Sequence, residues 1–124
     1  MDSSCFVVAV ANCLIYLKLP VGNIEIAKDV ACCRSGSTIH HKKVVEFLKA
    51  PLKPIDDPNA VFQNGGVLNI MHPIFNGHCF FLFPQNGKLI TMINSWLGPN
   101  VAANIAYKEI LPFASQQLGK HWAI

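Results

Sequence analysis

Charge is scarce in this chain: Asp, Glu, Lys and Arg make up 14% of its 124 residues, against 52% apolar. Such a composition excludes a disordered chain. The net charge of +3 is small, so nothing calls for a nucleic acid or an anionic membrane as partner. Lys42 and Lys43 follow His40 and His41, but four residues make no binding stripe; they read as a solvated helix face. Long hydrophobic runs are also missing. The longest, Phe6 to Leu17, falls short of the ~20 residues that a membrane-spanning helix needs. No Lys or Arg precedes it, and Asp2 carries the wrong charge for a signal peptide. A disulfide framework is missing too. The five cysteines, Cys5, Cys13, Cys32, Cys33 and Cys79, are odd in number and show no paired spacing. They read as reduced thiols, which sets the expectation of a cytoplasmic or otherwise reducing compartment. Cys32, Cys33, His40 and His41 match no zinc-ligand pattern, and Asn64-Gly65-Gly66 is too short for a phosphate-binding loop. No metal and no cofactor is expected. There is no internal repeat, linker or low-complexity tract, and the length suits one domain.

What is present divides into two halves. Asp2-Ser3-Ser4 are helix-capping residues ahead of the run from Cys5 to Leu17, thirteen residues apolar on nearly every face. A helix of that kind belongs in the middle of a domain. Leu19 to Asn23 ends it. Ile24 to Cys33 reads as a second helix capped by Asn23, with Ile24, Ala27, Val30 and Ala31 inward. Thr38 to Ala50 reads as a third, with a stripe of Ile39, Val44, Val45, Phe47 and Leu48, stopped by Pro51. Pro51 to Asn64 reads as irregular, with one short strand near Leu52 to Ile55. From Val67 the hydrophobic period changes to that of strands. Val67 to His72 is one strand. Asn76 to Phe83 and Leu89 to Trp96 form a hairpin, turned at Asn86-Gly87. Tyr107 to Gln117 is a short helix broken near Pro112, and His121 to Ile124 is a last strand. Helices first and strands second predict an α+β fold: a helical part of about 3–50, with a buried central helix, packed on an antiparallel sheet in about 52–124.

The hairpin carries chemistry. His78 opens one strand and Asn94 closes the next, so both lie at the same end of a pair. Cys5 stands at the start of the central helix, where the helix dipole favours an anion and a thiol loses its proton more readily. His78 can act as base toward that thiol, and Asn94 can fix the tautomer and orientation of the imidazole. Taken alone, Cys5 also fits as a small buried residue, His78 as a strand-edge histidine and Asn94 as a turn residue. Cys79 follows the histidine and points to the opposite face of its strand, which reads as core. Cys13, two helical turns beyond Cys5, reads as core as well.

Cys5 at the head of a long apolar helix, Gly77-His78 opening a strand, and Asn94-Ser95-Trp96 sixteen residues later resemble the papain-like cysteine peptidases. Within that superfamily the short helical half looks most like the bacterial double-glycine leader peptidase-like branch. The resemblance implies a papain-like fold and a thiol enzyme, most simply a peptidase cleaving an amide or thioester in a peptide or protein substrate. Cys5 would be the nucleophile, His78 the general base and then acid, and Asn94 the orienting residue. Trp96 would shield the Asn94–His78 hydrogen bond from water. Such enzymes carry a glutamine several residues ahead of the nucleophile, whose amide helps form the oxyanion hole, but only Met1 to Ser4 precede Cys5 here. Losing one such donor typically costs about 10²–10³ in rate. Ser3 or Ser4 would have to supply a donor beside the Cys5 backbone N–H. The alternative expectation is a papain-like domain that holds a peptide or protein partner without cleaving it.

Overall fold

The computed structural model describes residues 5–30, 40–72, 76–94, 101–116 and 120–124, with no account of the side chains of His72, Asn76, Asn94 and Val101. Helix α1 spans Cys5–Tyr16, α2 Ile24–Val30, α3 His41–Leu48, α4 Pro58–Asn64 and α5 Tyr107–Ile110, the last running into a 3-10 turn over Leu111–Phe113. The strands are β1 Lys53–Ile55, β2 Gly66–His72, β3 Asn76–Gln85, β4 Leu89–Asn94, β5 Val101–Ala106 and β6 His121–Ala123. They form one antiparallel sheet in the order β1-β6-β2-β3-β4-β5. The fold is therefore α+β, as the order of sequence patterns predicts. Among the described residues no helix is long and apolar enough to cross a membrane.

Both faces of the sheet are covered. On one, α1 contributes Phe6, Val7, Ala9, Val10, Cys13 and Leu14 to a core shared with Ala27 of α2, Val44, Val45 and Leu48 of α3, and Val67, Cys79 and Phe81 of the sheet. On the other, Val61 and Phe62 of α4 pack with Leu68, Ile70, Phe80, Leu82 and Ile90. Alternate residues of β3 thus enter different cores, which explains why Cys79 to Phe83 is unbroken apolar sequence rather than an alternating pattern. Full burial of each large side chain contributes about 1.5–3 kcal/mol, so β3 ties the two layers together.

Local signals account for several element ends. Asn23 accepts a hydrogen bond from the Ile26 N–H at 3.1 Å and starts α2. The β3–β4 turn uses positive φ at both Asn86 and Gly87, the conformation for which the Asn-Gly pair is suited. Two elements depart from expectation. Pro51 to Asn64 is not irregular throughout, because α4 begins at Pro58. Asp57 caps it, its carboxylate accepting from the Asn59 N–H at 3.0 Å, with the proline in the first turn, where its missing N–H costs nothing. Strand β5 has no counterpart in the sequence pattern. Its sequence, Val-Ala-Ala-Asn-Ile-Ala, has little β propensity, and pairing with β4 along its length holds it in place. On α3, Phe47 is 41% exposed and so leaves the expected inward stripe.

Gly66 joins β2 to β6 at φ +150°, a conformation L side chains rarely adopt. A Cβ there would collide with the Trp122 carbonyl oxygen and lie 2.9 Å from the Ala123 Cα. Gly66→Ala is expected to destabilise the fold by roughly 3 kcal/mol or more, measured by urea unfolding; a loss under ~1 kcal/mol would show that β6 does not depend on this close approach.

Candidate active site

Cys5 occupies the first turn of α1, the helix the sheet and the other two N-terminal helices enclose. It packs against the core and stays partly exposed, whereas Cys13, farther along the same helix, is fully buried. The two thiols differ in chemistry because of their partners. Burial pushes the Cys13 thiol up to about 12, which keeps it protonated and inert. Cys5 goes the other way, from 9.0 down to about 4. The largest cause is a hydrogen bond from the Cys79 side chain. Burial opposes it, and a hydrogen bond and charge attraction from His78 add to the lowering. The residue nearest the helix start is thus held as a thiolate at neutral pH.

The two partners are consecutive residues of β3. His78 is 4% exposed, and its ring lies 6.3 Å from that of Phe80, two residues along the strand. Cys79 is 3% exposed. Its proton is held more tightly than usual, because it donates to Cys5, lies buried, and sits beside the Cys5 charge. The sequence pattern assigns Cys79 to the core, and it is there. Its contact with the nucleophile is not legible in that pattern. Alternation says which face of the strand Cys79 occupies, but not that the start of α1 rests on that face.

A chain of hydrogen bonds fixes Cys79 from behind. Asn69 is its cross-strand partner on β2 and donates from Nδ2 to the Cys79 sulfur at 3.4 Å. The Asn69 backbone is itself held on both sides. Its N–H donates to Nδ1 of His121 at 3.2 Å, and its carbonyl accepts from the Ser115 N–H at 2.8 Å. His121 is fully buried, with Nε2 2.9 Å from the Ser115 carbonyl oxygen. Nδ1 accepting from Asn69 fixes the tautomer, so Nε2–H is the donor to Ser115. The sequence around His121 names no partner for it; its partners come from elements that meet only in the folded sheet.

His41 is a second imidazole close enough to feel the Cys5 charge. It stacks on Phe6 with ring centroids 3.9 Å apart and planes 11° from parallel. Burial and the nearby Lys120 ammonium lower it to about 4, only partly offset by Cys5, so it is neutral at pH 7. This corrects the expectation that His40 to Lys43 form one solvated face: Lys42 and Lys43 are exposed, but the His41 ring turns in against α1. A double histidine beside two lysines carries no signal that separates these fates.

Cys5 and His78, two residues singled out from the sequence, are therefore brought together. Asn94 is the last residue of β4, one step beyond Ile93, which pairs with Phe81. This register sets the end of β4 opposite Phe80, two residues along β3 from His78. Ser3, Ser4 and Trp96 fall outside the described residues. Among the described residues no group of three or more His, Cys, Asp or Glu side chains is placed to hold a metal ion.

No protein-family model matches the chain, and no curated protein matches it. A likeness appears among solved structures. The peptidase domain of Streptococcus ComA, a bifunctional ABC transporter involved in a quorum-sensing pathway, superposes with a TM-score of 0.71 over 98% of this chain and 90% of that domain. Sequence identity is 7%, so the likeness is one of fold. The chain shares the architecture of a papain-like peptidase domain.

With a thiol lowered to about 4, alkylation of Cys5 by iodoacetamide should proceed undiminished from pH 8 down to about pH 5 and fall as pH drops through the thiol's own titration. Cys79→Ala and His78→Ala should each move that midpoint upward, Cys79→Ala at least as far as His78→Ala. Rates followed by mass spectrometry decide it, and a wild-type midpoint near 9.0 would show that neither partner activates the thiol.

Proposed function

We propose that this domain, sharing its fold with a bacterial peptidase domain, is a papain-like thiol enzyme acting on a peptide or protein substrate. The observation that carries the reading is the Cys5 thiolate, held at the start of a buried helix by hydrogen bonds from His78 and Cys79. A thiolate so placed is a nucleophile at neutral pH without a separate deprotonation step.

In the proposed reaction the Cys5 sulfur attacks an amide or thioester carbonyl. The Cys5 backbone N–H, at the helix start, is one donor to the oxyanion, and Ser3 or Ser4 is the proposed source of another. His78 gives its proton to the leaving group, which departs and leaves the acyl group on Cys5. Water then enters, His78 takes its proton, and the acid is released. An amine in place of water would complete an acyl transfer through the same first half. Asn94 is assigned the orienting role toward His78, supported by its place at the end of the strand next to β3, and Trp96 the shielding role. The buried Asn69–Cys79 contact adds a support the resemblance does not include: it holds a neutral S–H donor against the nucleophile.

The test is acylation followed by intact-mass measurement. Peptides containing a Gly-Gly site and simple thioesters are incubated with the protein and quenched in acid. The expected result is an acyl adduct on Cys5, absent in Cys5→Ala, with turnover lowered about 10²–10⁴-fold in His78→Ala. Tight peptide binding with no covalent species and no cleavage would point to a binding domain on the same fold and end the enzymatic reading.

A further inference from the structure

The thiol that donates to Cys5 is itself a redox-competent group. Proteins commonly surround a reactive thiolate with imidazoles, amides and hydroxyls, none of which can form a disulfide with it. Here one neighbour is a second sulfur: Cys5 packs against the core cluster that contains Cys79, and the Cys79 thiol is its hydrogen-bond donor. Their surroundings differ in the way that divides labour in a thiol pair. Cys5 is partly exposed, so a small oxidant can reach it. Cys79 is 3% exposed and paired with Asn69 of β2, so the same oxidant is kept away from it. The Asn69 amide holds the Cys79 sulfur at 3.4 Å, and Asn69 is anchored through Ser115 and His121. Cys79 is thus confined next to Cys5. Cys13 lies farther along α1, buried, and its raised affinity for its proton comes from burial alone.

We propose that Cys5 and Cys79 form a reversible oxidation site for hydroperoxides, with Cys5 the attacking thiol and Cys79 the resolving one. The Cys5 thiolate attacks the terminal oxygen of the peroxide. An S–O bond forms, the O–O bond breaks, and the departing alkoxide or hydroxide takes a proton and leaves as alcohol or water. Cys5 is then a sulfenic acid, oxidised by two electrons, and the peroxide is reduced by the same two. Cys79 gives up its proton as its sulfur attacks the Cys5 sulfur. The S–S bond forms, the S–O bond breaks, and the hydroxide leaves with that proton as water. Two thiols and one peroxide have become a disulfide, an alcohol or water, and a further water. The disulfide removes the nucleophile while blocking the irreversible passage to sulfinic acid. A dithiol restores both thiols by exchange. The low proton affinity of Cys5 favours the first step and the protonated state of Cys79 reserves it for the second.

The site does not depend on the peptidase reading, because it needs only the two sulfurs and their confinement. Its test therefore reads sulfur chemistry rather than peptide cleavage. The folded full chain is treated with one equivalent of hydrogen peroxide, free thiols are blocked with N-ethylmaleimide, and the protein is weighed intact and mapped by peptide fragmentation. The expected product is lighter by two hydrogens before blocking, with the bond joining Cys5 to Cys79. Dithiothreitol then returns Cys5 to full alkylation. In Cys79→Ser the bond cannot form. Dimedone is expected to capture sulfenic acid at Cys5, and excess peroxide to carry it to sulfinic acid at doses that leave the wild type recoverable. Three outcomes overturn the proposal: oxygen added at Cys5 of the wild type with Cys79 still free, a disulfide that joins other cysteines, or the same dose dependence for irreversible oxidation in wild type and variant. The wild-type measurement decides by itself if Cys79→Ser fails to fold.

Discussion

Everything at the candidate site depends on how α1 is seated. This helix has no polar face to turn toward water. Phe6, Val7, Ala9, Val10, Ala11, Cys13 and Leu14 are all buried, so it has one stable position, enclosed by the β2–β3 face and by α2 and α3. A surface helix can rock on one apolar stripe; α1 is buried on nearly every side from Phe6 to Leu14, with only its last turn, Ile15 and Tyr16, open to solvent, and shifting it would open voids along the buried length. The start of α1 is fixed with the rest of it, and Cys5 is fixed over His78 and Cys79. Phe6, the next residue, repeats the constraint by stacking on His41 and packing near Trp122 of β6.

Two opposing effects meet at Cys5. Burial alone would make its thiol as inert as that of Cys13 on the same helix. Three hydrogen bonds, from the Cys79 side chain, the His78 side chain and the Cys79 backbone, together with the charge of an imidazole, reverse that. The two cysteines of α1 thus differ because of donors supplied from β3 rather than because of depth. The donors are in turn held by residues with no contact to Cys5: Asn69, whose backbone spans Ser115 and His121, and the sheet register that sets Asn69 opposite Cys79. A nucleophile that looks local in sequence is maintained by groups from β2, β3, β6 and the segment after the 3-10 turn.

The features written into the sequence are those that local chemistry determines. The apolar run from Cys5 has a length and composition that only a buried helix satisfies, and Asn86-Gly87 sets the hairpin turn because both residues tolerate positive φ. Cys5 and His78 can be singled out because a thiol at a helix start and a histidine at a strand start have a chemical reason to meet. Other features depend on contacts between distant parts of the chain. Strand β5 exists because β4 offers an edge, not because its alanines favour extension. Helix α4 is masked by the prolines around it, even though Asp57-Pro58 forms a capping pair. His41 turns inward because Phe6 offers a face to stack on, and Cys79 meets Cys5 because α1 lies on its side of the sheet. Neither fact is present in the residues next to them.

The strand order has a consequence for when the site can come into being. β6 lies between β1 and β2, so strands made early stay apart until the last described segment has been synthesised and threaded into the gap. Contacts between segments so far apart in the chain are slow to form. The His121 ring and the Ser115 amide that brace Asn69 arrive in that same late step. A chain still emerging from the ribosome can form its hairpin and its central helix, but it cannot yet brace the strand behind Cys79. The support behind Cys79 is therefore among the last features to form, and the rigidity of the site waits on the strand that closes the sheet.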